Sequence, residues 1–294
     1  MSECLLCRSE LGNDVFPYST RFNDRTYRYR NCVRCGSSTI DPLPGPDELA
    51  AMYRQDEYHG VFYDQPEEEP STVLDSFLSA TGDGPHTLLD FGCGSGQFLK
   101  AAKALGFRAE GVEIDPVVRL KAAQASGCPV HALEELEQGS QRFDVIHLGD
   151  VLEHLPDPAG SMRALEALLS KNGQFFLEGP LETNPSLVRT AGVLFGSVRA
   201  NLGRQAVGTY PPYHLFQTNA RAQRAFFEER LGYKIDRFEV WETGWPYRST
   251  VRIESIGARI RDVIGRASVL VAGVAGPSTR LGNRFAALLR PSSL

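Results

Sequence analysis

The stretch LLDFGCGSGQFL, residues 88–99, narrows the folding options of this chain more than any other segment. Leu88 and Leu89 belong to an apolar strand that ends at Asp90; glycines follow at 92, 94 and 96, and a helix begins at once. Glycines at alternate positions let the backbone turn tightly and let a ligand lie against the N–H groups of a helix N-terminus. The spacing is G-x-G-x-G. A pyrophosphate-binding loop wants G-x-G-x-x-G, and Gln97 stands where its third glycine belongs. At the end of the next strand, AEGVEIDP places Glu113 21 residues after Gly92, the separation at which an acidic side chain meets ribose hydroxyls.

The rhythm around this loop fixes the fold class. TLLDFG, AEGVEI, FDVIHLG and GQFFLEG read as strands, and SGQFLKAAKALG, PVVRLKAAQASG and AGSMRALEALLSKNG read as the helices between them. Strands separated by helices of this length imply βαβ units and a parallel sheet covered on both faces. An α/β, doubly wound, Rossmann-like sheet is therefore expected over residues 85–245. It carries a helical lid insert at 182–212, and the sheet is expected to end near Trp241. Residues 246–294 read as an amphipathic helical tail, with eight arginines from Arg248 onward against Glu254 and Asp262. That tail is either an ordinary helical extension or a basic face for an anionic membrane or ligand. The longest apolar run, Ser268 to Gly276, is too short to span a bilayer. The N-terminus has no basic region followed by an apolar core, so a reducing cytoplasm is the expected compartment.

Cysteines define the front of the chain. Cys4-x2-Cys7 and Cys32-x2-Cys35 form two knuckles suited to one tetrahedral zinc ion, and four thiolates leave no open position, which makes the site structural. TRFNDRTYRYRNC between them alternates like a hairpin, so residues 1–42 read as a zinc ribbon. Two disulfides or four free thiols are the alternatives. Gly36 follows the second knuckle and can take a positive φ; the first knuckle, CLLCRSE, has Arg8 there instead. Cys93 and Cys128 read as packing residues. Residues 43–84 read as a helical linker or cap, including the acidic, proline-flanked QPEEEPS.

Taken together, the loop at Asp90 to Gly96, GVEID at Gly111 to Asp115 and FDVIHLGDVLEHLPDP at Phe143 to Pro158 resemble the class I S-adenosylmethionine-dependent methyltransferases. The third motif resembles their ubiquinone-biosynthesis type. The resemblance implies that Asp90, Gly92, Cys93, Gly94 and Gly96 receive the aminocarboxypropyl end of the cofactor. Glu113, with Ile114 beside it, would take the ribose hydroxyls, and Leu133 and Glu134 would flank the adenine. Leu133 departs from the family, which usually has an acidic or polar residue there. Asp150 joins the cofactor set from the fourth strand. Tyr58 either covers the methionine end or simply packs.

Methyl transfer is an in-line displacement in which positioning does much of the work, and a base is needed when the nucleophile is a hydroxyl or an acidic C–H. Open α/β sheets bind ligands at the carboxyl ends of their strands. This selects Asp150, Glu153 and His154, then Glu178, then Tyr210, Tyr213 and His214. The catalytic candidates are His154, His214, Glu178 and Tyr210; loop orientation for His154 and an ion pair or helix cap for Glu178 are the alternatives. TYPPYH contains PPY but lies after the fifth strand with a tyrosine in front, unlike the D/N-P-P-Y motif of amino-group methylation. The expected acceptor is a small molecule such as a nucleotide-linked sugar, glycan or natural-product intermediate, with O-methylation ahead of C- or N-methylation. The arginine-rich tail, together with Arg189, Arg199 and Arg204 in the lid, is a candidate to grip a phosphate or diphosphate on it. An RNA methyltransferase and a non-catalytic cofactor-binding protein are the other readings. The net charge of -5 argues against nucleic acid, although Arg21, Arg25, Arg28, Arg30 and Arg34 make the hairpin locally basic.

Overall fold

The computed structural model describes residues 2–53, 86–137, 140–203, 207–208, 211–248, 255–275 and 281–292. Tyr58, Tyr210, Arg204 and the QPEEEPS segment lie outside the described residues.

The N-terminal part is a hairpin of β1 (Leu11–Phe22) and β2 (Arg25–Cys32), followed by β3 (Ser38–Asp41) and helix α1 (Pro46–Tyr53). The βαβ region then runs through β4 (Thr87–Phe91), α2 (Gln97–Ala104), β5 (Arg108–Val112), α3 (Pro116–Ser126), β6 (Val130–His131), the short α4 (Leu133–Glu137) and β7 (Phe143–Gly149). It continues with α5 (Pro158–Glu166), β8 (Leu169–Pro180), α6 (Leu187–Asn201), β9 (Val207–Gly208), β10 (Phe216–Gln217), α7 (Ala220–Ala225), β11 (Tyr233–Trp241), α8 (Ile256–Ala275) and β12 (Arg284–Pro291). Local chemistry sets the boundaries. The α3 helix starts where the Asp115 side chain accepts from the N–H groups of Val117 and Val118 with Pro116 in the first turn, and it stops at Gly127 with φ +64°.

The main sheet has the order β11-β12-β8-β7-β4-β5-β6, with β8 through β6 parallel. The chain winds outward from β4 in both directions, so the order reverses at β4, and its carboxyl end is the crevice where such sheets bind ligands.

The expected all-helical tail holds only in part. Residues 256–275 are α8, but 284–291 form β12, a strand inserted antiparallel between β8 and β11. Five consecutive residues, Phe285 to Leu289, are buried there. A strand covered on both faces shows no alternation, and Ala and Leu favour helices, so RFAALLR carried the wrong signal.

The ribbon is not a free-standing module either. Its three strands form the middle of a second sheet, β10-β3-β2-β1-β9, whose outer strands come from the segment between α6 and α7. Cys4, Leu6, Leu11 and Cys32 are buried in the same core cluster as Leu89, Phe143 and Phe175. Some 40 residues bury too little surface to stand alone, and shared packing supplies the difference.

Candidate active site

The glycine loop is held where side chains do not fit. Gly92 and Gly96 have φ +79° and +81°. A Cβ on Gly92 would come within 2.7 Å of Val151 Cγ2, and one on Gly96 within 2.8 Å of the Ala122 carbonyl oxygen in α3. Glu113, buried at the tip of β5, locks the loop from the other side. One carboxylate oxygen accepts from the Gly94 N–H at 3.1 Å and the other from the Asp115 N–H at 3.0 Å. Burial lifts its pKa above the ordinary glutamate value in spite of these bonds. Ile114 beside it is 85% exposed, Leu133 is packed part-buried against the core, and Glu134 is exposed. The Cys93 thiol is turned into the packing against Gly111 and Leu99; burial, with Asp90 and Glu113 nearby, pushes its pKa up and makes it inert.

Asp90 is placed under this loop. Its carboxylate meets His147 Nδ1 at 2.7 Å, both groups fully buried, and His147 Nε2 lies 3.5 Å from Glu178. The imidazole is stacked on Phe98 at 3.6 Å between centroids, with Phe176 beside it at 5.1 Å. Burial by itself disfavours the imidazolium, but Asp90, with Glu178 behind it, outweighs that and pushes the His147 pKa up to about 9. Glu178, a sequence candidate for catalysis, is thus turned into the sheet toward His147. His147 itself was missed: a single histidine within FDVIHLG reads as core.

At the carboxyl end of β7 the remaining candidates converge. Asp150 takes φ +53°, an unusual conformation for a non-glycine residue, and its carboxylate forms a two-point ion pair with Arg284 at 2.5 and 2.9 Å. One turn later come Glu153 and His154. The segment before β10 brings His214 against them: the two imidazole centroids are 4.9 Å apart, edge to face. One ligand-type atom from each of Glu153, His154 and His214 lies within 4.8 Å of the others. His154 Nδ1 lies 2.9 Å from the Tyr213 carbonyl oxygen and 3.0 Å from the Tyr53 hydroxyl. His214 Nδ1 lies 2.7 Å from Glu182.

The two histidines carry opposite charge states. Burial and the neighbouring His214 charge drive His154 down to about 3, whereas Glu182 outweighs burial and lifts His214 to about 9. Burial, with Asp150 nearby, raises Glu153 to about 8. Oε1 of Glu153 and Oε2 of Glu182 are buried and have no hydrogen-bond partner among the described residues. Tyr53 and Glu182 gave no signal in the sequence, and Arg284 only as one of the tail arginines, because only the tertiary fold brings them here.

The four N-terminal cysteines also meet. Cys4 and Cys35 sulfurs are 3.7 Å apart, Cys7 and Cys32 sulfurs 3.4 Å, and all four lie within 4.8 Å of one another. A tetrahedron with Zn–S bonds of about 2.3 Å has S···S edges of roughly 3.8 Å, so the donor set fits zinc in geometry as well as in chemistry. The knuckles have the same turn: Gly36 has φ +75° and Arg8, where no glycine is available, φ +59°.

A family model described as a methyltransferase domain matches residues 64–210. Ubiquinone biosynthesis O-methyltransferases of Pseudomonas paraeruginosa and Xanthomonas campestris are each 34% identical, over 108 and 100 residues. These matches cover 34% and 31% of this chain and 46% and 41% of the relatives, so the chain spans less than half the length of each. Among solved structures, the magnesium protoporphyrin IX methyltransferase of Synechocystis aligns over 81% of this chain and 95% of its own, with 13% identity and a TM-score of 0.47.

Proposed function

The chain belongs to the methyltransferase domain family, and on that premise we propose that it transfers a methyl group from S-adenosylmethionine to a hydroxyl of a small-molecule acceptor. The observation that carries the proposal is Glu113, a buried carboxylate clasped to the Gly94 N–H at the point where the strand order reverses. Its oxygens keep lone pairs for ribose hydroxyls, and the exposed Ile114 offers an apolar face to the adenine. Asp90 acts through His147, fixing the root of the loop, in place of the direct cofactor contact expected of it.

The sulfonium donor supplies an electrophilic methyl group when bound. Glu153, whose pKa of about 8 lies near neutral pH, takes the acceptor's proton, and His154 accepts the hydrogen bond that orients the acceptor hydroxyl. The His154 Nδ1–H donates to the Tyr213 carbonyl, which leaves Nε2 with the lone pair, and its low pKa keeps it unprotonated at neutral pH. His214, charged through Glu182, stabilises the oxyanion that develops. The unpartnered oxygens of Glu153 and Glu182 require donors, and a polyhydroxylated acceptor such as a sugar provides them. Of the arginines offered for an acceptor phosphate, Arg284 is engaged by Asp150, Arg266 by Asp262 and Arg290 by Asp236. Cys4, Cys7, Cys32 and Cys35 would hold a structural zinc ion, and free thiols so placed suit a reducing compartment such as the cytoplasm.

Incubating the protein with isotopically methyl-labelled cofactor and a panel of sugar, glycan and phenolic metabolites, then locating the label by mass spectrometry, tests the reaction. Label on a hydroxyl oxygen is expected; label on RNA, or no transfer despite cofactor binding, would refute it.

A further inference from the structure

Helix α8 is built inside out. Apart from three exposed arginines, its polar residues Asp262 and Ser268 are 8% and 3% exposed, whereas Ile256, Val263, Leu270 and Val274 are 77%, 65%, 67% and 82% exposed. With Ile260, these apolar residues recur at helical spacing along one stripe. A helix on a water-soluble surface shows the opposite arrangement. The orientation is fixed by packing on the other face: a Cβ on Gly265 would meet the Arg248 backbone within 2.6 Å, and one on Gly244 would meet the Gly265 carbonyl within 2.8 Å, so the small-residue side must face the loop at 244–248. Trp245 projects from that same loop and is largely exposed.

The neighbouring helix α6 repeats the pattern. It packs against α8, with Tyr247 from the loop lying against Gly192, and it exposes Leu187, Leu194, Phe195 and Val198, with Leu202 just beyond its end. The charges on the two helices are Arg189, Arg199, Arg259, Arg261 and Arg266 against a single acid, Asp262, which is buried and paired with Arg266. By helical spacing Arg259 and Arg266 flank the α8 stripe and Arg199 the α6 stripe, while Arg189 and Arg261 fall on the far sides, so the flanks are positive on a chain whose net charge is -5.

We propose that the outward faces of α6 and α8, with Trp245, form a peripheral-membrane surface that binds anionic phospholipid. The 20-residue α8 is about 30 Å long and carries three arginines and an aspartate, so it lies in the interface; no described helix is long and apolar enough to cross a bilayer. Arginines on the flanks reach phosphate headgroups while the stripe enters the acyl boundary, and the exposed tryptophan is a residue type concentrated at that depth. Exclusively basic flanks favour a lipid surface over a second copy of the chain, whose matching face would place like charges together. The proposal stands apart from the methyl-transfer reading.

Flotation of the full chain with vesicles of phosphatidylglycerol and phosphatidylcholine in equal parts, and of phosphatidylcholine alone, tests it. Binding to the anionic vesicles only, weakening with salt, is expected, together with a blue shift of tryptophan emission that Trp245→Phe abolishes. Arg199→Gln with Arg259→Gln should weaken binding roughly fivefold per arginine neutralised. Val263→Asp with Leu270→Asp should remove it while leaving the melting temperature and S-adenosylhomocysteine affinity unchanged. Equal binding to both vesicles, or to neither with cofactor affinity intact, overturns the proposal. So does sedimentation showing a dimer that Val263→Asp with Leu270→Asp dissociates, which would assign the face to a second copy.

Discussion

Replacing Glu113 by glutamine keeps the side chain's shape and removes one of its two acceptors. Each carboxylate oxygen is committed to a different backbone N–H, Gly94 on one side and Asp115 on the other. In either amide orientation the new NH2 group faces a donor. A buried donor left without its acceptor costs about 1–3 kcal/mol, which sets the expected loss of folding stability. One of two hydrogen bonds from the ribose to a charged acceptor is lost as well, about 1.5–3 kcal/mol, so affinity for S-adenosylhomocysteine should fall roughly 10- to 150-fold. Titration calorimetry at neutral pH measures the second effect and denaturant melts the first, with Glu229→Gln, exposed after α7, as a control that should change neither. Because burial lifts the Glu113 carboxyl, wild-type affinity should begin to decline at a pH above the ordinary glutamate value of 4.5. A folded Glu113→Gln protein that binds S-adenosylhomocysteine within about threefold of wild type would refute the assignment of this carboxylate to the ribose.

Three other predictions follow from the same geometry. Glu153→Gln should lower kcat by roughly 10² to 10⁴, the usual contribution of a general base, with cofactor affinity unchanged; steady-state kinetics on the acceptor found by label transfer would show it. His147, whose pKa rises from 6.5 to about 9 on folding, contributes stability that is fully present below pH 6.5 and is lost as pH rises through about 9. That contribution is about 3 kcal/mol, so denaturant midpoints should fall across this window in the wild type and not in His147→Asn. Stripping the cysteine cluster with a strong chelator should release one zinc per chain by elemental analysis and lower the melting temperature, and Cys7→Ser should do the same.

The sequence revealed those parts of the site that are carried on single elements. The glycine loop sits in one run of ten residues or so, Glu113 is marked by its separation of 21 residues from Gly92, and the four cysteines form two C-x2-C knuckles, so that local spacing already implies the geometry. What escaped it depends on contacts between distant segments. β12 looked helical because a doubly covered strand has no period to read. His147 looked like core because its two carboxylate partners come from β4 and β8. β9 and β10 are two residues each, too short to leave any pattern, yet they decide where the ribbon sits. His154 and His214 were both found, but their different charge states are not a property of either residue: they follow from Glu182 lying 2.7 Å from the His214 ring and from the burial of His154 beside that charged ring.

The two ends of the site are mounted on different supports. The cofactor end is built within the main sheet and its helices, since Gly96 packs on Ala122, Glu113 bonds Gly94 and Asp90 is held by His147 of β7. On the acceptor side, His214 immediately precedes β10, which is zipped to β3 through Phe216 opposite Thr39, and its carbonyl accepts from the Tyr29 hydroxyl of β2 at 2.6 Å. His154 belongs to the main sheet, linked to the same segment by the Leu215 N–H donating to the Glu153 carbonyl at 2.7 Å. The histidine pair is therefore a joint between the two sheets. β2 ends at Cys32 and β3 begins at Ser38, so the second cysteine knuckle directly sets the register of the strand that positions His214. Loosening that knuckle displaces one histidine relative to the other and leaves the glycine loop untouched. Loss of the cluster should then abolish turnover while S-adenosylhomocysteine still binds, an outcome that global unfolding does not produce.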